Sequence, residues 1–277
     1  MDEIQLLQAK FDDLVDRSEK VGCACTRFLS PKELFYLQNH IRLQHPDINY
    51  LVDGGYPDAE RKLIFVMSDY YEESYIDKED YYKLVCIEGS GYHTNTHKDF
   101  LGALLGLGLQ REMLGDICIE NNSAYVFVLP KVCEFLQTKP CPLTTVGRDK
   151  VKISFVDLER AQGFRRSFEK VSASVASLRL DAVVCAITSL SREKSSSAID
   201  LGLVTHNYEI PKKGMTQIKD GDVISIRGHG KFVINVTDLT TKKGKIKINR
   251  RFQRSGHTCY VARSHSSGQC RTDRPVG

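Results

Sequence analysis

The most restrictive part of this chain is residues 178–231, because its hydrophobic pattern changes period three times. Leu180, Val183, Val184 and Ile187 recur at i, i+3, i+4 and i+7, the spacing of a helix with one buried stripe. Arg179 and Asp181 open that run. A second, polar helix follows, started by the capping residue Ser191, with Glu193 and Lys194 in its first turn, and stopped by Gly202. Two short strands, residues 203–205 and 223–227, then flank a turn of Pro211, Lys212, Lys213 and Gly214. One apolar helix, one polar helix and short strands in this order specify a small α+β unit.

The net charge of +4 conceals an asymmetry. Residues 175–277 carry 18 Lys+Arg against 8 Asp+Glu, whereas residues 1–174 carry 21 against 27. A basic C-terminal part on an acidic N-terminal part is the footprint of phosphate-backbone binding. Amide groups at the start of the 191–201 helix suit a phosphate. Ser191, Arg192, Lys194 and Ser195 cluster at that end, with Arg offering a bidentate grip and Lys a point charge. Lys212 and Lys213 lie on the turn, and Arg227, His229 and Lys231 line the next strand edge. Asn207 can cap a turn or contact a nucleotide.

The residues that carry these roles also form a recognisable pattern. R-L-D at 179–181, S-R-x-x-S at 191–195, G-L-V-x-x-N at 202–207 and G-D-x-I-x-x-R-G at 221–228 resemble the S-four RNA-binding domain, the module of small-subunit ribosomal protein four. The resemblance implies that Arg179, Arg192, Lys194 and Ser195 face RNA. Members of that family often have Lys in G-L-V-K-V-N, where this chain has Thr205 and His206, which weakens one phosphate contact.

At 277 residues the chain suits two or three domains. Residues 1–75 read as an N-terminal α+β unit: a helix over 2–19, a second from the capping box Ser30-Pro31-Lys32-Glu33 to residue 44, and strands at 49–52 and 62–67. Residues 69–80 hold six acids and one Lys without the spacing or turn glycine of a cation loop, so they read as a solvated segment turned away from RNA. Residues 76–157 read as β-α-β-β-α-β, a ferredoxin-like, RRM-like unit. Tyr125 and Phe127 share one face of a strand; they are a base-stacking platform if that face is open and core if helices cover it, and core is favoured. Residues 158–177 read as a linker with an edge strand at 171–176, residues 178–250 as the S-four unit, and residues 251–277 as a disordered basic tail.

The scattered cysteines, nine in number, read as free thiols, and neither Cys23 with Cys25 nor the tail residues His257, Cys259, His265 and Cys270 match a common metal spacing. His93 and His97 lack a third ligand, so no metal and no cofactor is expected. With no apolar run long enough to span a bilayer and no targeting segment, the expected location is the cytoplasm.

Enzymatic motifs fail one by one. His97-Lys98-Asp99 lacks the downstream Asn and D-F-G of a kinase, and Gly102, Gly106 and Gly108 do not follow a strand into a helix as a dinucleotide loop does. Leu178-Arg179-Leu180-Asp181 resembles a pseudouridine synthase loop but continues Ala182-Val183-Val184 and lies inside the S-four helix pattern. What remains distinctive is H-K-D-F-L-G-A-L-L-G-L-G-L-Q-R-E-M-L-G-D-I at 97–117. This stretch resembles a hallmark of the YlmH family of bacterial RNA-binding proteins. The resemblance implies a non-catalytic, monomeric partner of structured RNA (rRNA or tRNA) on the ribosome, at the large subunit, in rescue of stalled translation. It also makes His97, Lys98, Arg111, Tyr125 and Phe127 candidates for a second RNA surface. An RNA-modifying enzyme such as a pseudouridine synthase-like protein, and a protein-interaction adaptor in cell division, are the alternatives.

Overall fold

The computed structural model describes residues 2–166, 169–211, 214–240, 246–253 and 259–261. Its first two helices start where side chains satisfy the free amides of the first turn. In α1 (Glu3–Val21) the Asp2 carboxylate accepts from Ile4 N–H while the Gln5 side chain accepts from Asp2 N–H. In α2 (Pro31–Gln44) Ser30 and Glu33 form the expected reciprocal pair, at 3.3 and 2.6 Å, with Pro31 in the first turn. Both helices lie on a three-stranded antiparallel sheet in the order β1 (Cys23–Cys25), β3 (Leu63–Met67), β2 (Asn49–Asp53). The strand β1 has no alternation long enough to announce itself in the sequence.

All five residues of β3 are buried, and its period of two explains how. Ile64 and Val66 point to the helices and join Phe11, Leu37 and Ile41. Leu63, Phe65 and Met67 point the other way and join Phe28, Tyr56, Tyr82, Leu84 and Phe127. The N-terminal unit therefore uses one side of its sheet for its own helices and the other for the middle domain.

That middle domain comprises β4 (Lys83–Gly89), α3 (His97–Gly106), β5 (Leu114–Glu120), β6 (Ser123–Val128), α4 (Pro130–Leu136), β7 (Thr145–Val146) and β8 (Asp149–Val156). The β-α-β-β-α-β order read from the sequence is present, and the four main strands lie antiparallel as β8-β4-β6-β5. Val85, Ile87, Val126 and Val128 meet Phe100, Leu104, Val132 and Leu136 of the two helices on one face. On the other face Phe127 is fully buried and stacks on Tyr56, with ring centroids 5.8 Å apart. Phe127 is thus core, as favoured, but the N-terminal unit and not the helices covers it. It does not supply a stacking platform. Tyr125 is half-buried, with Phe164 at 5.4 Å and the Arg160 guanidinium 5.1 Å from its ring centre.

The segment expected to link the domains is instead divided between them. A 3-10 turn, Leu158–Gly163, and β9 (Phe164–Arg166) place Ala161 and Phe164 in the core shared by the first two units. β10 (Glu169–Val175) is the edge strand of the C-terminal sheet, ordered β10-β14-β13-β12-β11. The other members are β11 (Val204–His206), β12 (Val223–Ile226), β13 (Gly230–Thr240) and β14 (Ile246–Gln253), all antiparallel. Helices α5 (Leu180–Thr188) and α6 (Arg192–Asp200) pack together, with Leu180, Val183, Val184, Ile187 and Ile199 in one core with Val204, Ile224, Ile234 and Ile248.

Two expectations need correction here. The C-terminal unit does not stop at 250, because β14 continues to Gln253, and β15 (Cys259–Val261) adds to the middle sheet between β5 and β9. Disorder is therefore not the state of those residues; the rest of the expected tail lies outside the described residues. Cys23, Cys25, Cys86, Cys133, Cys141 and Cys185 are free, but Cys118 is disulfide-bonded, and Cys259 stands beside it in the β5–β15 register.

Gly55 shows how closely the first two units meet. It has φ +89°, and a Cβ there would lie 2.2 Å from a Phe127 ring carbon. Gly55→Ala is expected to lower the stability of the whole chain by about 2–4 kcal/mol through overpacking and backbone strain, measured by urea unfolding. A loss below 0.5 kcal/mol would mean that the two units do not share a core.

Candidate functional site

The polar helix α6 begins as expected, with the Ser191 hydroxyl accepting from Lys194 N–H at 3.3 Å. Arg192 and Lys194 are exposed on its first turn, and neither side chain has a hydrogen-bond or ion-pair partner among the described residues. Amides at this end have no preceding helical carbonyl to serve, so the local field there favours an anion. Ser195 departs from the expectation. Its side chain is fully buried and its hydroxyl donates to Ser191 O at 3.0 Å, so it supports the helix and does not face outward. Arg227 is exposed beyond β12, its backbone N–H donating to Leu203 O past the far end of α6. Lys212 and Lys213 lie outside the described residues.

Three other candidates are engaged within the fold. Arg179 holds Asp181 through two guanidinium contacts of 3.1 and 2.7 Å, while remaining half-exposed. Asn207 sits at φ +47° in the turn after β11. Its amide donates to Asp222 at 2.8 Å and its carbonyl oxygen accepts from Val223 N–H at 2.9 Å. Asp222 also accepts from Lys219 N–H and lies 2.7 Å from His206 Nε2. Asn207 is therefore a turn-building residue. Lys231 reaches out of the C-terminal unit to Glu60 of the N-terminal unit at 2.8 Å, and its ammonium lies 5.3 Å from the Tyr208 ring centre. The same two units meet through Tyr36 and Glu209, 2.6 Å apart, and through Phe35 and Tyr208.

Glu60 belongs to a network centred on Asp116 of β5. The buried Asp116 carboxylate accepts from Tyr56 Oη at 2.7 Å, Glu60 N–H at 2.7 Å, Arg61 N–H at 3.1 Å and the Arg166 guanidinium at 3.0 Å. Arg166 also binds Glu60 at 3.0 Å. Burial opposes the charge of Arg166, but Asp116, Tyr56 and Glu60 outweigh it and hold the guanidinium protonated more firmly than usual. Arg61 and Arg111 stand beside this network and bind backbone carbonyls: Arg61 those of Leu114, Phe28 and Arg111, and Arg111 those of Leu114 and Gly115. Burial and the neighbouring Arg61 pull the Arg111 guanidinium down to about 10. Burial and Arg111 also push the His97 imidazole below its ordinary value.

The 97–117 hallmark thus divides in two. Lys98 is exposed on α3 and His97 half-buried, whereas Arg111, Gly115 and Asp116 build the joint between the first two units. Gly115 is required by close approach, since a Cβ would lie 2.7 Å from Phe28 and 2.9 Å from Phe127. Sequence reasoning missed Tyr56, Glu60, Arg61 and Arg166, because they sit in a turn and a linker with no periodic signal. Charge alone could have flagged Asp116, an acid at the start of an apolar strand that must find a partner when buried.

The middle unit, a four-stranded antiparallel sheet with two helices, matches a known domain type. Residues 77–160 match the family model described as "Putative RNA-binding domain in YlmH". The Ribosome-associated protein quality control protein P2 of Bacillus subtilis (strain 168) is 29% identical to the chain over 237 residues, covering 83% of this chain and 87% of the relative. Among solved structures, the Cell division protein ylmH from Streptococcus pneumoniae is similar over 58% of this chain and 96% of that one, with a TM-score of 0.48 and 17% identity. The chain is thus similar to YlmH proteins, most specifically over residues 77–160.

Two predictions test the electrostatic framework. Arg166→Met leaves Asp116 as a buried charge without its cation and is expected to lower stability by about 3–5 kcal/mol, as seen by urea unfolding; adding Asp116→Asn should restore part of the loss. For Asp222, burial raises the carboxyl, but hydrogen bonds from Lys219 N–H, Asn207 and His206 outweigh it and hold it below the usual range. A folded value below the unfolded one adds stability that is fully present above about pH 4 and is lost as pH falls through the folded value. Asp222→Asn should therefore destabilise by about 1–2 kcal/mol at pH 7, and the gap from wild type should narrow in acid. A gap independent of pH would remove the charge from the explanation.

Proposed function

We propose that this chain is a non-catalytic RNA-binding protein that works on the ribosome in the cytoplasm. It holds structured RNA, rRNA or tRNA, through its C-terminal S-four-type unit. The reading extends to the large subunit and to rescue or quality control of stalled translation, with the protein acting as a monomer without a cofactor. The observation that carries it is the pair of exposed cations Arg192 and Lys194 at the start of α6, without partners among the described residues, in the basic part of an otherwise acidic chain. The match of residues 77–160 to an RNA-binding domain and the similarity to a ribosome-associated quality control protein of Bacillus subtilis support the same reading.

Arg227 extends the contact surface beyond α6, and Lys98 on α3 is a candidate for a second contact. Arg179 contributes while paired with Asp181, and Lys231 while paired with Glu60. The enzyme reading gains no support from the Asp116 network, because every oxygen contact of that carboxylate is made by a structural donor from a neighbouring strand or turn.

Co-sedimentation with ribosomes across a salt series tests this. A contact with about five phosphates gives a log–log slope of roughly −3.5 to −4.5. Arg192→Ala combined with Lys194→Ala is expected to weaken binding at low salt and to reduce the slope by about 1.4–1.8, for two lost phosphates, without changing the unfolding midpoint. Unaltered affinity would refute the α6 assignment, salt-insensitive binding would refute the RNA reading, and turnover of a modified nucleoside would replace it with the enzyme.

A further inference from the structure

We infer that Asp12, His40 and His45 form a binding site for a divalent transition-metal ion of the zinc class, holding α1 to α2. Among the described residues, this is the group in which three such ligand atoms converge, all within 4.8 Å of one another. Asp12 comes from the middle of α1 and His40 from the last turns of α2, and His45 is the residue that ends α2. Nε2 of His40 lies 2.7 Å from Asp12 Oδ1, and Nε2 of His45 lies 2.8 Å from the same oxygen.

The two rings are aimed before any ion arrives. Both meet Phe11 edge-on, at 6.5 and 6.2 Å, and Phe11 is itself core. They lie 5.7 Å apart and present their Nε2 atoms to one point. Their side chains are 14% and 24% exposed while Asp12 is 47% exposed, so solvent reaches the site from the carboxylate side.

This donor set selects the ion. Two imidazoles with one carboxylate suit zinc and its neighbours, whereas magnesium and calcium prefer oxygen donors throughout. Three protein ligands leave a fourth, water-filled position on the exposed side. Bonds of about 2.0–2.2 Å place tetrahedral ligands about 3.3–3.6 Å apart, so each Nε2, now 2.7 or 2.8 Å from Asp12 Oδ1, needs to draw back from that oxygen by less than about 1 Å. The end of α2 also carries the negative pole of its dipole, which favours a cation beside His45. Coordination through Nε2 would require that nitrogen to carry no proton, so that its lone pair is available to the metal while Nδ1 holds the ring's one proton.

The spacing hides this site in the sequence. Residues 40 and 45 do not share a helix face, and they converge because the chain leaves the helix at His45, with φ −132°.

Titration of the full-length protein with zinc chloride by calorimetry, and with cobalt chloride by visible absorption, tests the inference. One equivalent of cobalt should bind, with the ligand-field bands of a four-coordinate site and no thiolate-to-cobalt charge-transfer band. Zinc should raise the thermal midpoint. His40→Gln and His45→Gln should each weaken zinc binding at least tenfold and abolish the thermal shift. His45 is the more exposed ring, so its variant decides the matter if His40→Gln does not fold. Wild-type affinity in His45→Gln, a thiolate band in the cobalt complex, or no binding at micromolar zinc would overturn the site.

Discussion

The buried carboxylate of Asp116 is the constraint around which the three parts of this protein are arranged. A charge withdrawn from water must be met on every side, and loss of one partner leaves the desolvation uncompensated. Here the partners come from different places in the chain. Tyr56, Glu60 and Arg61 belong to the turn between β2 and β3, and Arg166 to β9. Glu60 then passes the connection to Lys231 of the C-terminal unit. One carboxylate thereby fixes the N-terminal unit on the middle sheet, and a second extends that order to the domain with the exposed cations.

This arrangement changes the meaning of the basic residues. A count of Lys and Arg treats all of them as available to a polyanion, but the fold divides them. Arg61, Arg111 and Arg166 are consumed by carbonyls and carboxylates in the joint. Lys231 and Arg179 are held by acids at the surface. Arg192, Lys194 and Arg227 keep their charge for solvent. Net charge marks the basic part of the chain, and ion pairing decides which of its cations stay without a partner among the described residues.

The legibility of the sequence followed the range of the interactions involved. Local signals were readable: the Ser30–Glu33 capping box, the Ser191 cap, the i, i+3, i+4, i+7 stripe of α5 and the order of elements in the middle domain. Non-local ones were not. Ser195 looks like a surface hydroxyl until its helix is packed, and Phe127, though readable as core, gives no sign in the sequence that Tyr56 of the N-terminal unit covers it. The end of β14 was hidden because residues 251–253 run into a stretch rich in Arg, Ser and Gly that resembles a solvated tail.

The five buried residues of β3 carry a consequence for biosynthesis. A strand with no solvent-facing side cannot finish folding when its own helices arrive, because Leu63, Phe65 and Met67 still await the sheet built from residues 83–156. As the chain emerges from its N-terminus, the first 67 residues present an adhesive apolar surface until nearly a hundred more have been made. The two regions mature as one cooperative body, and their boundary in the sequence is not a boundary in folding.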